Sequence, residues 1–199
     1  MKKSAALALT GFTASSSFGA NAATPTQDTD LFMVGPKSGF TPEVGTLVSM
    51  MNWTRKITTE YVKNLDMQAL DYLFDQKANS IGTLILHLVT QEKECQIQTF
   101  KWDRKAVFNE TYRLASKLGD DTRQKIKGKK IEFYLNELTT VRKKTIEELK
   151  NRDDQWLMKV DHDHPWGTPV NHYCQWFHVL EHECQHAGQI SLIKNRLPS

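Results

Sequence analysis

His182, Glu183 and His186 lie in the run His178-Val-Leu-Glu-His182-Glu-Cys-Gln-His186, close to the carboxyl end of a 199-residue chain. A helix advances about 1.5 Å and turns about 100° per residue, so His178, His182 and His186 recur one turn apart on one side. Three imidazoles in that arrangement point to metal chemistry. One ion cannot take all three, because roughly 12 Å of helix separates the outer pair whereas a Zn–N bond is about 2.1 Å. A further ligand has to come from another segment. His87, in Ile85-Leu-His87-Leu-Val89, has apolar neighbours on both sides. With His182 and His186 it makes a three-histidine site that leaves coordination positions for water or substrate. His162 and His164 fall in the polar run Asp161-His-Asp-His-Pro165 and are expected at the surface. His172 lies too far along the last helix to join His186.

The same run fits two peptidase patterns, H-E-x-x-H over His182–His186 and H-x-x-E-H over His178–His182. Neither is supported further along the chain. The metzincin extension needs glycine at 189 and histidine at 192, where Gln189 and Leu192 stand, and no His, Asp or Glu follows His186. A helix whose histidines are merely packed is the plain structural alternative. Glu183 lies about 100° around the helix from His182, so it is expected to be structural or to support a ligand rather than to act as a base. His178 is expected to line the pocket one turn above the ion and relay a proton. Glu94, two turns after His87 on nearly the same face, is a candidate to orient His178 or a bound water.

These residues need helices to hold them. Thr41-Pro42-Glu43 is an N-cap followed by proline at the first helical position, and apolar residues from Leu47 to Leu65 recur at three- and four-residue intervals to about Asn64. A connector follows, anchored by Leu70, Leu73 and Phe74. Asn79-Ser80 caps a second helix that carries Ile81, Leu84, Ile85, Leu88 and Cys95 as far as about Phe100. Residues 101–125 read as short helical turns, 130–151 as a third helix, and 153–170 as a loop with Pro165, Gly167 and Pro169. Asn171 caps the last helix, which is apolar around most of its circumference and therefore central. No segment alternates long enough to make a sheet. An all-α four-helix bundle follows, with extra helical turns between helices 2 and 3 and ligands from facing helices in its core.

Composition bounds the rest. A formal net charge of +3 is too small to argue for nucleic acid, and no stretch reaches the length of a membrane span. Residues 1–22 read as an export signal, with Lys2 and Lys3, an apolar middle and the small-residue site Ala20-Asn-Ala22. Residues 23–40 then form an extended arm and 41–199 the domain, and the mature protein is expected to be periplasmic or secreted. Three cysteines, at 95, 174 and 184, allow one bridge. If helices two and four are antiparallel, Cys95 lies level with Cys174, and these two are expected to pair. Cys184 projects away from the metal face and is expected to be a packed core thiol.

Asn79-Ser-Ile-Gly-Thr-Leu-Ile-Leu-His87-Leu, followed about ninety residues later by Trp176-Phe-His178-Val-Leu-Glu-His182-Glu-Cys-Gln-His186-Ala-Gly-Gln-Ile190, resembles the DinB-like superfamily of metalloenzymes over residues 42–197. The resemblance implies a four-helix bundle holding one divalent ion, zinc or nickel, on residues matching His87, His182 and His186. It also implies a small-molecule substrate, with low-molecular-weight thiols among the candidates. Ala187 departs from the pattern, since relatives often carry arginine or lysine there. The expected activity is transfer or hydrolysis by a metal-activated thiol or water, in a protein free to form a homodimer. The alternative is a non-catalytic exported metal-binding protein whose ion is structural or cargo.

Overall fold

The computed structural model describes residues 30–198. Helix α1 (Pro42–Val62) leads through the short α2 (Met67–Asp71) into α3 (Ile81–Phe100). Three short helices, α4 (Arg104–Val107), α5 (Glu110–Lys117) and α6 (Asp120–Lys125), connect α3 to α7 (Ile131–Leu149). Helix α8 (Asp154–Met158) and an antiparallel pair of two-residue strands, β1 (Val160–Asp161) and β2 (Val170–Asn171), then lead to α9 (His172–Lys194). The four long helices form the expected all-α bundle, in which α9 packs against α1 and α3, and α7 against α3 and α1.

Side-chain contacts fix the helix directions. Helices α1 and α9 are parallel, because Tyr173 Oη donates to Glu43 Oε2 at 3.1 Å near their starts and Lys194 Nζ to Tyr61 O at 2.9 Å near their ends. Helix α3 runs against α9, since Phe100 at its end meets Trp176 near the start of α9 with ring centroids 5.3 Å apart. Helices α3 and α7 are parallel, as Tyr134 sits beside Gly82 while Gln96 Nε2 donates to Val141 O at 3.0 Å and to Thr145 Oγ1 at 2.8 Å. Two parallel helices of this length need a connection that returns over about 30 Å. Residues 101–130, with α4 to α6, make that return.

Local capping follows the sequence at two of three starts. Ser80 Oγ accepts from Thr83 N at 3.2 Å and Asn171 Oδ1 from Cys174 N at 2.8 Å. At α1 the expected cap, Thr41, makes no such bond. Asp154 takes its place from across the chain, its Oδ1 accepting from Glu43 N at 3.0 Å, Val44 N at 3.2 Å and Thr41 Oγ1 at 2.5 Å. A carboxylate there also meets the positive end of the helix dipole. Before α1, Phe32 packs edge-on to Trp53 at 5.1 Å and Gly35 N donates to Ser49 Oγ at 3.1 Å, so residues 32–35 lie along α1. The export signal expected at 1–22 lies outside the described residues.

The core has two apolar halves. One gathers Val62, Ile81, Leu84, Ile85, Tyr134, Leu138, Ile190 and Ile193, and the other Val44, Leu47, Met51, Cys95, Phe100, Leu149, Trp176 and Val179. Between them lie four charged side chains, one per long helix: Arg55, Glu92, Arg142 and Glu183. Arg142 Nε donates to Glu92 Oε1 at 2.9 Å and its Nη2 to Glu183 Oε2 at 2.9 Å. Arg55 Nε donates to Glu183 Oε1 at 2.7 Å and its Nη2 to Glu92 Oε2 at 2.9 Å. Thr145 Oγ1 adds a bond to Glu92 Oε1 at 2.6 Å. Burial alone would raise the Glu92 carboxyl, but Arg142 and Arg55 hold it down to about 2. Glu183 is therefore structural, as its position on the helix implies.

Several expectations are corrected. Leu70 is buried, but Leu73 and Phe74, expected to anchor the connector beside it, are 40% and 42% exposed. Helix α9 is apolar around most of its circumference but is not enclosed on all sides, since Phe177 and Leu192 face solvent. All three cysteines are free. Cys95 is buried in the half-core with Trp176, whereas Cys174, about 200° around α9 from Trp176, is exposed, so the expected bridge does not form. Cys184 is exposed at the edge of the α1–α9 seam, with Sγ 3.8 Å from Thr54 Oγ1, rather than packed in the core. Denatured without reductant, the protein should titrate three thiols per chain. In the native state Cys174 and Cys184 should react while Cys95, whose thiol burial pushes up well above its usual pKa, should not. A single titratable thiol would restore the bridge.

Candidate metal centre

The seam between antiparallel α3 and α9 brings together His87, His182 and His186. His87 Nε2 is 3.0 Å from His182 Nε2, and His186 Nε2 is also 3.0 Å from it. One ligand atom from each of the three lies within 4.8 Å of the others, a group able to hold a metal ion. Tetrahedral coordination with bonds of about 2.1 Å places ligand nitrogens roughly 3.4 Å apart, so the pocket is already near that size.

The outer nitrogens are fixed by the protein. His87 Nδ1 donates to the carbonyl of Ala115 at 2.8 Å, and His186 Nδ1 to Gln189 Oε1 at 2.8 Å. A carbonyl only accepts, so each Nδ1 carries the hydrogen and each Nε2 presents a lone pair inward. His182 Nε2 can donate one hydrogen at most, yet two lone pairs face it. A cation at the centre resolves that conflict, and the donor set fits one.

Burial sets the charge of the rings. It pushes His87 down to about 4 against the opposing Ala115 hydrogen bond, and His182 down to about 3 with His186 and His87 adding to the effect. Burial likewise lowers His186, opposed by Gln189. The rings are neutral near pH 7 and need no deprotonation to coordinate. In metal-free protein the shifts have a definite sign. An unfolded histidine titrates near 6.5, so between about pH 6.5 and 4 the unfolded chain binds more protons than the folded one, and stability falls as pH falls. His172, lowered chiefly by burial, contributes in the same direction. Urea midpoints of metal-free protein should therefore drop between about pH 6.5 and 4.5, and drop less in His182→Ala. Equal slopes in the two proteins would mean that the ring of His182 is not held neutral.

At the mouth, His178 sits one turn from His182 with ring centroids 5.3 Å apart, and its Nδ1 pairs with Glu181 Oε2 at 3.0 Å. Glu94, the carboxylate expected to serve His178, is instead engaged on both oxygens by Arg104. Trp166 stands edge-on to His178 at 5.0 Å and to His164 at 4.7 Å, so the loop between β1 and β2 reaches the mouth. His164, expected at the surface, is buried, with Nε2 3.3 Å from Gln98 Oε1 and Nδ1 accepting from Trp166 N at 3.3 Å. His162 is exposed as expected, and His172 packs on Trp156 away from the site.

A family model described as mycothiol-S-transferase matches residues 46–198. No curated protein matches the chain. The solved structure of a conserved protein from Enterococcus faecalis superposes with a TM-score of 0.60 at 12% identity, covering 75% of this chain and 93% of that one. At that identity the likeness is one of fold.

Proposed function

Since this chain belongs to the mycothiol-S-transferase family, we propose that it is a metal-dependent enzyme that transfers a low-molecular-weight thiol to an electrophilic small molecule. His87, His182 and His186 hold the ion, zinc or nickel. The observation that carries the reading is the convergence of three Nε2 atoms with the outer nitrogens of His87 and His186 already satisfied. A divalent ion on neutral ligands keeps its full charge and lowers the pKa of a coordinated thiol or water.

The remaining work falls to side chains. Glu181 accepts from His178 Nδ1 and so leaves Nε2 as the basic nitrogen. That nitrogen takes the proton from the S–H group as sulfur attacks. The sulfur–carbon bond forms, the leaving group departs with its electron pair, and His178 can return the proton to it. Trp166 borders the entrance and limits water around the reacting thiol. The reading of residues 1–22 as an export signal supports a location outside the cytoplasm.

The test is thiol consumption with an electrophile such as monochlorobimane, in the presence of mycothiol, glutathione or cysteine, by metal-loaded protein. Loaded protein should accelerate the loss of at least one thiol, and metal-free protein and His182→Ala should not. A protein that binds metal stoichiometrically yet accelerates none of them would be a carrier or a structural metalloprotein instead.

A further inference from the structure

A second cavity, of about 730 Å³, opens on the other side of α3, where that helix meets α7 and the segment leading into α5. Lys93 and Gln96 line it, Lys93 is about 120° around α3 from His87, and none of the three histidines lines the cavity. Its volume lies within the roughly 300–1,000 Å³ usual for small-molecule sites.

Lys93 is only 8% exposed, and its ammonium sits over the Tyr112 ring at 4.5 Å. Neither it nor Lys105 or Lys144, the other two lysines of the cavity, is paired with a carboxylate among the described residues. The carboxylates at the rim are engaged elsewhere. Glu148 accepts from Arg152 at 3.1 Å, Glu147 lies 4.0 Å from Lys143, and Asp103 accepts from Lys105 N at 3.0 Å. Glu137 accepts from the Tyr112 hydroxyl at 2.6 Å. The Lys93 side chain is largely enclosed but lines the cavity with no carboxylate in direct contact, so an anion in the cavity could pair with its ammonium. Burial lowers the pKa of Lys93 and Lys144 adds to this, with Glu137 and Glu92 opposing.

We propose that this cavity is a second small-molecule site, for an aromatic or apolar monocarboxylate whose charge rests on Lys93 and whose body lies against Trp102 and Phe108. The aromatic wall selects an apolar body. Three lysines set against three rim carboxylates favour a single negative charge over a dianion such as phosphate.

The test is calorimetric titration of the full chain with 1-naphthoate, with uncharged 1-naphthamide and with inorganic phosphate. Naphthoate should bind one per chain, naphthamide about tenfold or more weaker, and phosphate should not displace naphthoate. Lys93→Met should weaken naphthoate about tenfold and leave metal content unchanged. Lys144→Ala, at an exposed position, should weaken it about threefold and keeps the test available if the buried substitution does not fold. Equal binding of naphthoate and naphthamide, displacement by phosphate, or an unchanged affinity in both lysine variants would overturn the proposal. So would loss of naphthoate binding in His182→Ala, which would put the carboxylate on the metal.

Discussion

Purified beside the wild type, His182→Ala should retain its helical fold and lose metal, falling from about one ion per chain to a trace. The magnitude follows from the role of the ring. Removing a partner that merely orients a metal-bound histidine costs roughly 10–100-fold in affinity, and removing the histidine itself costs more. His182 is the central nitrogen of the group, 3.0 Å from each of the other two, so its loss separates the remaining pair. Gln189→Ala gives the intermediate case. It frees His186 Nδ1 without touching the three inward nitrogens, and should weaken metal binding by about tenfold. Elemental analysis after dialysis reads both effects. Wild-type metal content in His182→Ala would remove that ring from the site.

Glu92→Gln should lower stability by about 3–5 kcal/mol, the usual cost of breaking a buried ion pair by removing one charge. Glu92 is fully buried and takes bonds from Arg142, Arg55 and Thr145. Its neutral amide leaves two guanidinium groups, themselves largely buried, with Glu183 as the one remaining carboxylate of the belt. For a chain of this size the melting temperature should fall by roughly 6–20 °C. Replacing exposed Glu147, which faces Lys143 at 4.0 Å, should change stability by less than about 0.5 kcal/mol. Urea denaturation of the two variants checks the contrast, and similar values for both would mean that the belt is not the structural tie between the halves of the core.

The histidine site was legible because metal chemistry and helical periodicity use the same residues. His182 and His186 announce a face one turn apart, and His87 stands out as a polar ring within the apolar stripe of α3. The caps at Ser80 and Asn171 were equally readable, since each bonds a backbone amide three residues on. What escaped depends on residues far apart in sequence. Asp154 caps α1 from more than a hundred positions away, and nothing local to either segment marks the pairing. The ion-pair belt did leave a trace. Met51-Arg55-Thr58-Val62, Leu88-Glu92-Cys95-Thr99 and Leu138-Arg142-Thr145-Leu149 are buried-face stripes at i, i+4, i+7 and i+11, each with a charge in its second place. Read singly, each is an interruption of an apolar face; only the bundle shows that they meet. The bridge between Cys95 and Cys174 failed for the opposite reason. Level position along two helices is not sufficient, because rotation about the helix axis decides which side chains face each other, and Cys174 faces away. The polarity of the loop around His164 implies exposure, whereas Trp166 and Gln98 enclose the ring.

The central proposal is one ion held by three imidazoles contributed by α3 and α9. X-ray absorption at the metal edge of protein loaded with one equivalent of zinc or nickel, without added thiol, measures that directly. The account predicts about three imidazole nitrogens near 2.0–2.1 Å with the remaining positions filled by light donor atoms. Loss of one imidazole should follow from each of His87→Ala, His182→Ala and His186→Ala. A shell containing sulfur from the chain's own cysteines at about 2.3 Å, or fewer than two imidazoles, would contradict it.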